Sequence, residues 1–185
     1  LQLITSLPLE LAGAHWRSGR QVTNRSRFTD EFRWLLDRGS LTARLKRHAE
    51  SFRVIRLASE TRGIYSHERQ IFARACGLRV STAIVREVIL CCDGQAAVYA
   101  RTVIPWSSLS GSNRRLLTLN ERPLADVLFD GKGVPRGSIE VALLPTTLQG
   151  HEHLHARRSL FFPDQKPILV AEFFAGDFKF WKSKE

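Results

Sequence analysis

The apolar positions of this chain change period along its length, from helical spacing before residue 50 to strand spacing after residue 80. In the first stretch, Thr29 is placed to cap a helix through Asp30-Glu31-Phe32-Arg33-Trp34-Leu35-Leu36, whose acids fall in the first turn and complement the helix dipole. Gly39 is placed to end it and Ser40 to start a second helix over 41–48, with Leu41 and Leu45 one turn apart on one face. Two short helices joined across 37–40 predict a helical hairpin. Residues 52–57 alternate as a short strand, and 63–77 lack a clean period, which predicts a loop with a helical turn.

Strand patterning dominates from Val80 onward. Asp93-Gly94 between two β-rich runs predicts a two-residue hairpin. With those residues as the turn, Arg86 pairs with Arg101 and Val88 with Tyr99, so that Arg86, Val88, Leu90, Tyr99 and Arg101 share one face. Both faces of 83–92 are mostly apolar, as in an interior strand covered on each side. Pro105 ends the second strand, and Ser112 is placed to cap a short helix through Leu119. Residues 130–137, with three glycines and a proline, read as a long loop, and later strands are predicted over 138–144, 157–162 and 168–174. With no internal repeat, the pattern predicts an α+β fold, a single domain over 1–185 with a largely antiparallel sheet.

Two of these strands carry charges where none is expected. Arg86 interrupts the run 83–92, and Glu172 the run 168–174. Burying an unpaired ion costs several kcal/mol, comparable with the whole stability margin of a domain, so each needs a partner. Two readings satisfy this. Arg86 and Glu172 pair with each other, or each grips one pole of a ligand. A guanidinium fork suits a carboxylate, and Glu172 suits a hydroxyl. The ligand so implied is flat or ring-like, apolar in the middle, acidic at one end and hydroxylated at the other.

Composition narrows the surroundings. With 185 residues, 43% hydrophobic and 25% charged, the chain is globular and long enough to bury a core. No apolar run approaches the roughly 18 residues of a membrane span, and Leu1-Gln2-Leu3-Ile4 offers no basic start for a signal peptide. The net charge of +10, from 28 basic and 18 acidic residues, suits an anionic small molecule, nucleic acid or an acidic membrane surface. No aromatic–basic stacking motif supports nucleic acid. Cys76, Cys91 and Cys92 fit neither a disulfide framework nor a metal spacing, and read as small buried hydrophobes of a reducing cytoplasm.

One motif points elsewhere. His151-Glu152-His153-Leu154-His155 matches the HExxH pattern of zinc proteases, with Glu172 available as a further ligand. That chemistry needs two histidines one helical turn apart. Here Gly150 precedes the motif and a strand pattern follows it, so a solvated histidine-rich turn is expected instead.

Several blocks together are more specific. Val85-Arg86-Glu87-Val88-Ile89-Leu90-Cys91 with Asp93-Gly94 is followed by Ala100-Arg101-Thr102-Val103-Ile104-Pro105 with Ser108-Leu109-Ser110-Gly111. Then come Arg122-Pro123-Leu124 with Leu128-Phe129, Arg157-Arg158-Ser159, and Lys166-Pro167-Ile168-Leu169-Val170-Ala171-Glu172. In this order and spacing they resemble the bacterial chorismate pyruvate-lyase family. The resemblance covers most of 80–174 and, more loosely, the helices around 35–47. It implies conversion of chorismate to 4-hydroxybenzoate and pyruvate at the start of ubiquinone biosynthesis. It also implies a six-stranded antiparallel sheet with helices on it, a helical flap containing Leu41 over a buried pocket, a cytoplasmic monomer, and no metal or organic cofactor.

By the same resemblance, Arg86 meets the ring carboxylate, Glu172 meets the hydroxyl, and main-chain groups near Leu41 and Leu124 complete the pocket. One of Arg157 and Arg158 is expected to hold the carboxylate of the departing enolpyruvyl group, since adjacent strand residues point to opposite faces. The chain carries His155-Ala156 where a member of the family has Trp-Gly, and Leu41 where methionine fits the pattern. A second reading is a non-catalytic sensor domain of the same fold that binds an aromatic acid.

Overall fold

The computed structural model describes residues 15–19, 30–129, 133–145, 153–175 and 177–181. Seven strands form one sheet: β1 (Arg17–Ser18), β2 (Phe52–Gly63), β3 (Thr82–Cys92), β4 (Gln95–Ile104), β5 (Glu140–Pro145), β6 (His153–Phe161) and β7 (Ile168–Phe174). Their order across the sheet is β1-β5-β6-β7-β4-β3-β2, and every neighbouring pair is antiparallel. The additional strand over the six implied by the resemblance is small, since β1 adds only two residues to the edge of β5.

Helices cover both faces. On one lie α1 (Asp30–Leu35) and α2 (Leu41–His48), the predicted hairpin, with α4 (Ala125–Leu128) and a 3-10 helix over Gly111–Thr118. Trp34, Leu41 and Leu45 pack there with Val54, Val88, Leu90, Ala100 and Phe174. On the other face α3 (Ser66–Cys76) buries Ile71 and Phe72 against Val85, Val103 and Leu169. Ser40 caps α2 as expected, its Oγ accepting the Ala43 N–H at 3.1 Å. Thr29, the predicted cap of α1, lies outside the described residues.

The β3–β4 pairing differs from the predicted register. Asp93-Gly94 do form the turn, both with positive φ. The pairing then shifts by one between Cys91↔Ala96 and Leu90↔Val98, leaving Ala97 as a bulge. Arg86 therefore faces Thr102, and Arg101 faces Glu87. A one-residue slip exchanges the faces of a strand, so Arg101 and Tyr99 stand on the side opposite Arg86.

Other differences have local causes. Strand β2 runs on to Gly63 because a bulge at Leu57 breaks the alternation and the rest of this edge strand is solvated. α3 replaces the predicted loop, and its apolar pattern is masked by Glu68 on the buried face. There Glu68 accepts from Arg101 Nε at 2.7 Å and from the Tyr65 N–H at 2.8 Å. Gly77 closes α3 in the left-handed region at φ 63°, its N–H returning to Ala73 O. Ser112 does not cap its helix; its Oγ turns to Asp164 at 2.5 Å. The described part of the expected histidine turn is strand, not turn. Residues 153–155 belong to β6, paired with Pro145, Leu144 and Leu143, while His151 and Glu152 lie outside the described residues.

Candidate functional site

The sheet register brings the two anomalous charges to one face. Arg86, Thr102, Val170 and Ser159 form one row across β3, β4, β7 and β6; Val88, Ala100, Glu172 and Arg157 form the next. Arg86 and Glu172 are thus two strands and one row apart, about 12 Å between Cα atoms from ordinary sheet spacings. Both line a cavity under the α1–α2 hairpin, shared with Leu41, Thr42, Val54, Val88, Leu124, Arg136, Arg157 and Phe161. Its free volume is about 50 Å³, room for a few water molecules.

Arg86 is 2% exposed. The turn after the 3-10 helix aims two carbonyls at it: Arg86 Nη2 donates to Asn120 O and Arg122 O, both at 2.9 Å. Asn120 makes this possible by adopting φ 47°, a left-handed conformation asparagine tolerates. Arg86 Nε is buried without a hydrogen-bond partner. Among the described residues no carboxylate pairs with this guanidinium, and its charged neighbour is another cation. Burial, then Arg56, push it down to about 10. A buried cation left in this state is complementary to an incoming anion.

Glu172 stands differently. Arg157 Nε donates to Glu172 Oε2 at 2.5 Å, and Arg157 Nη1 reaches across to the hairpin, donating to Trp34 O at 2.7 Å and Asp37 O at 2.9 Å. The mutual Arg86–Glu172 salt bridge is therefore not what the structure holds. Leu41, at the start of α2, and Leu124, just before α4, both line the cavity.

Of the adjacent arginines, Arg157 faces the cavity. Arg158 is on the opposite face, where its Nε donates to Glu140 Oε2 at 2.8 Å and its guanidinium stacks 4.4 Å from the Trp16 ring. The structure does not bring Arg158 to this site. His155 packs edge-on against Trp181 at 5.1 Å and is not in the cavity lining.

Arg136 escaped the sequence reading. It comes from the glycine-rich loop before β5 and bridges to Phe161 of β6. Its Nε donates to Ser159 Oγ at 2.8 Å, its Nη1 to Asp37 O at 3.2 Å, and its guanidinium lies 4.8 Å from the Phe161 ring. Nothing in a lone arginine between Pro135 and Gly137 signals such a placement. The cavity thus offers cations near both ends, one carboxylate and an apolar floor. This suits an oxygenated ring with acidic substituents.

Comparisons with known proteins bear on the family and the fold. Residues 11–184 match the family described as Chorismate lyase. A probable chorismate pyruvate-lyase of Vibrio vulnificus (strain CMCP6) is 35% identical over 167 residues, covering 90% of this chain and 89% of that protein. The chorismate pyruvate-lyase of Hamiltonella defensa is 36% identical over 141 residues, covering 76% of this chain and 75% of that one. Among solved structures, PhnF from Mycobacterium smegmatis superposes with a TM-score of 0.52 at 18% identity, over 77% of this chain and 66% of its own. Its effector domain gives 0.50 at 18% identity, over 77% of this chain and 91% of its own. These two likenesses bear on the fold.

Proposed function

The chain belongs to the chorismate lyase family, and from that premise we propose that it is a chorismate pyruvate-lyase, a carbon–oxygen lyase that eliminates pyruvate from chorismate to leave 4-hydroxybenzoate for ubiquinone biosynthesis. The observation that carries the site assignment is Arg86, a buried guanidinium without a carboxylate partner in the cavity that also holds Glu172.

Chorismate has a ring carboxylate, a hydroxyl at the opposite carbon and an enolpyruvyl ether on the carbon beside the hydroxyl. Arg86 anchors the ring carboxylate. Glu172, held by Arg157, accepts the hydrogen bond of the hydroxyl at the far pole. The proton leaves the hydroxyl-bearing carbon, its electron pair enters the ring, and the neighbouring C–O bond breaks. The ring becomes aromatic. Enolpyruvate departs with the bonding pair and gains a proton on its methylene carbon, giving pyruvate with no net change in protons. In this reading Glu172 takes the ring proton as general base. Aromatisation makes the step downhill, so position and charge complementarity under the hairpin suffice, and no metal or organic cofactor is invoked. Leu41 and Leu124 close the pocket around the ring.

The protein is read as a cytoplasmic monomer without a nucleic-acid partner, a setting consistent with Cys76, Cys91 and Cys92 being free. Among the described residues no helix is long and apolar enough to cross a membrane.

The test is direct. Purified protein is mixed with chorismate in the presence of a chelator, and pyruvate and 4-hydroxybenzoate are assayed. Both appear in equal amounts if the reading holds. Tight 4-hydroxybenzoate binding without turnover would instead favour the sensor domain.

A further inference from the structure

We propose that Arg136 holds the second carboxylate of the substrate, the one that departs with the pyruvyl group. The inference rests on the chorismate lyase reading and adds to it a specificity-determining residue. A dianion entering a water-poor cavity needs a cation for each carboxylate. Arg86 supplies one. Arg157 already has a counter-ion, its Nε donating to Glu172, and its Nη1 is taken by the carbonyls of Trp34 and Asp37. Arg158 points away to Glu140.

Arg136 remains, and its position fits. It is fixed by Ser159, which lies in the same row as Arg86 but three strands away. It also borders the Arg157–Glu172 pair, whose charges both act on it. The enolpyruvyl ether sits beside the hydroxyl-bearing carbon, so its carboxylate lies at the Glu172 pole, away from Arg86. Among the described residues no carboxylate forms an ion pair with Arg136. Burial, then Arg157, lower its guanidinium to about 10, a state that an incoming anion relieves. The same side chain donates to Asp37 O in the hairpin turn, and the main-chain carbonyl of Arg136 accepts from Arg38 Nη2 at 2.9 Å. The departing carboxylate and the closed hairpin therefore share one cation.

The probes are 4-hydroxybenzoate, with one carboxylate, and 3-(carboxymethoxy)-4-hydroxybenzoate, an unreactive dicarboxylate that keeps the ether at the substrate's position. Calorimetric titration of wild type, Arg136→Gln and Arg136→Lys compares them. Arg136→Gln is expected to weaken the dicarboxylate by about 30-fold, the worth of a charge-assisted hydrogen bond, to change 4-hydroxybenzoate little, and to raise the KM for chorismate in parallel. Arg136→Lys should recover part of the loss. Equal weakening of both probes would mark a structural role and overturn the proposal, as would an unaffected dicarboxylate in a wild-type background that turns chorismate over. A wild-type protein that binds neither probe and leaves chorismate intact would remove the underlying reading, and this inference with it.

Discussion

Arg86 and Arg101 lie on neighbouring strands one position out of register, and that single step places them on opposite faces of the sheet. Arg86 enters the cavity under the hairpin without a carboxylate partner. Arg101, equally buried, is satisfied by two acids: its Nε donates to Glu68 and its Nη1 to Glu87, each at 2.7 Å. One guanidinium is satisfied by acids of the fold while the other has no carboxylate partner among the described residues, and the bulge at Ala97 puts them on opposite faces.

Replacing Arg101 by methionine leaves Glu68 and Glu87 on that face without their shared cation. Breaking a buried ion pair costs about 3–5 kcal/mol. Urea denaturation of Arg101→Met should show a loss of that order, and wild-type stability in this variant would refute the structural role of Arg101.

Arg86→Met should separate function from stability. Two bonds to carbonyls are lost, but a buried cation without a counter-ion is also removed, so the net cost is expected within about 1 kcal/mol. Binding of 4-hydroxybenzoate should weaken by about 100-fold as its charge-assisted anchor disappears. Thermal melts and titration of the same preparation check both halves. Near-normal binding would contradict the anchor assignment.

Glu172→Gln keeps the size of the side chain and removes its basicity. General-base catalysis contributes about 10²–10⁴ in rate, so kcat should fall by at least the lower figure while KM changes far less. Equal rates at saturating chorismate would restrict Glu172 to binding the hydroxyl.

If the hairpin acts as a lid over the cavity that Leu41 and Thr42 line, product should be slow to leave. Added 4-hydroxybenzoate is expected to depress initial rates, and an absence of inhibition would argue against a sealed pocket. Arg44 braces the hairpin through Arg33 O at 2.8 Å, Asp37 Oδ2 at 3.2 Å and the Trp34 ring at 4.0 Å. Arg44→Ala should therefore ease the inhibition measurably, as expected where lid opening limits release.

The pH dependence of stability should report Glu87. Burial acts to raise its carboxyl, but hydrogen bonds from Tyr99 and Arg101 outweigh burial and hold it below the usual range. A carboxyl lowered on folding contributes stability that is complete above the unfolded value of about 4.3 and fades as pH falls through the lower folded value. The stability gap between wild type and Glu87→Gln, measured by urea titration, should therefore narrow from neutral pH to below about 4. A gap independent of pH would exclude this linkage.

The sequence by itself determined the class of fold and the presence of an unusual pair of charges. Leu41 and Leu45 at helical spacing, Ser40 before them, Asp93-Gly94 between β-rich runs, and Arg86 and Glu172 inside apolar strands are local signals, legible because helix caps, turns and burial act over a few residues. Ordered sequence blocks carried the family. What tertiary structure decided is non-local. The bulge at Ala97 reassigned Arg101, and the partner that masks α3 as a helix, Arg101 against Glu68, lies 33 residues away. The choice between Arg157 and Arg158 depended on which face of β6 turns to the hairpin. Arg136 reached the cavity only because the 133–137 segment folds back onto β6, a placement set by Ser159, Phe161 and Asp37 together. Such contacts join residues far apart in the chain, and no periodicity within one segment encodes them.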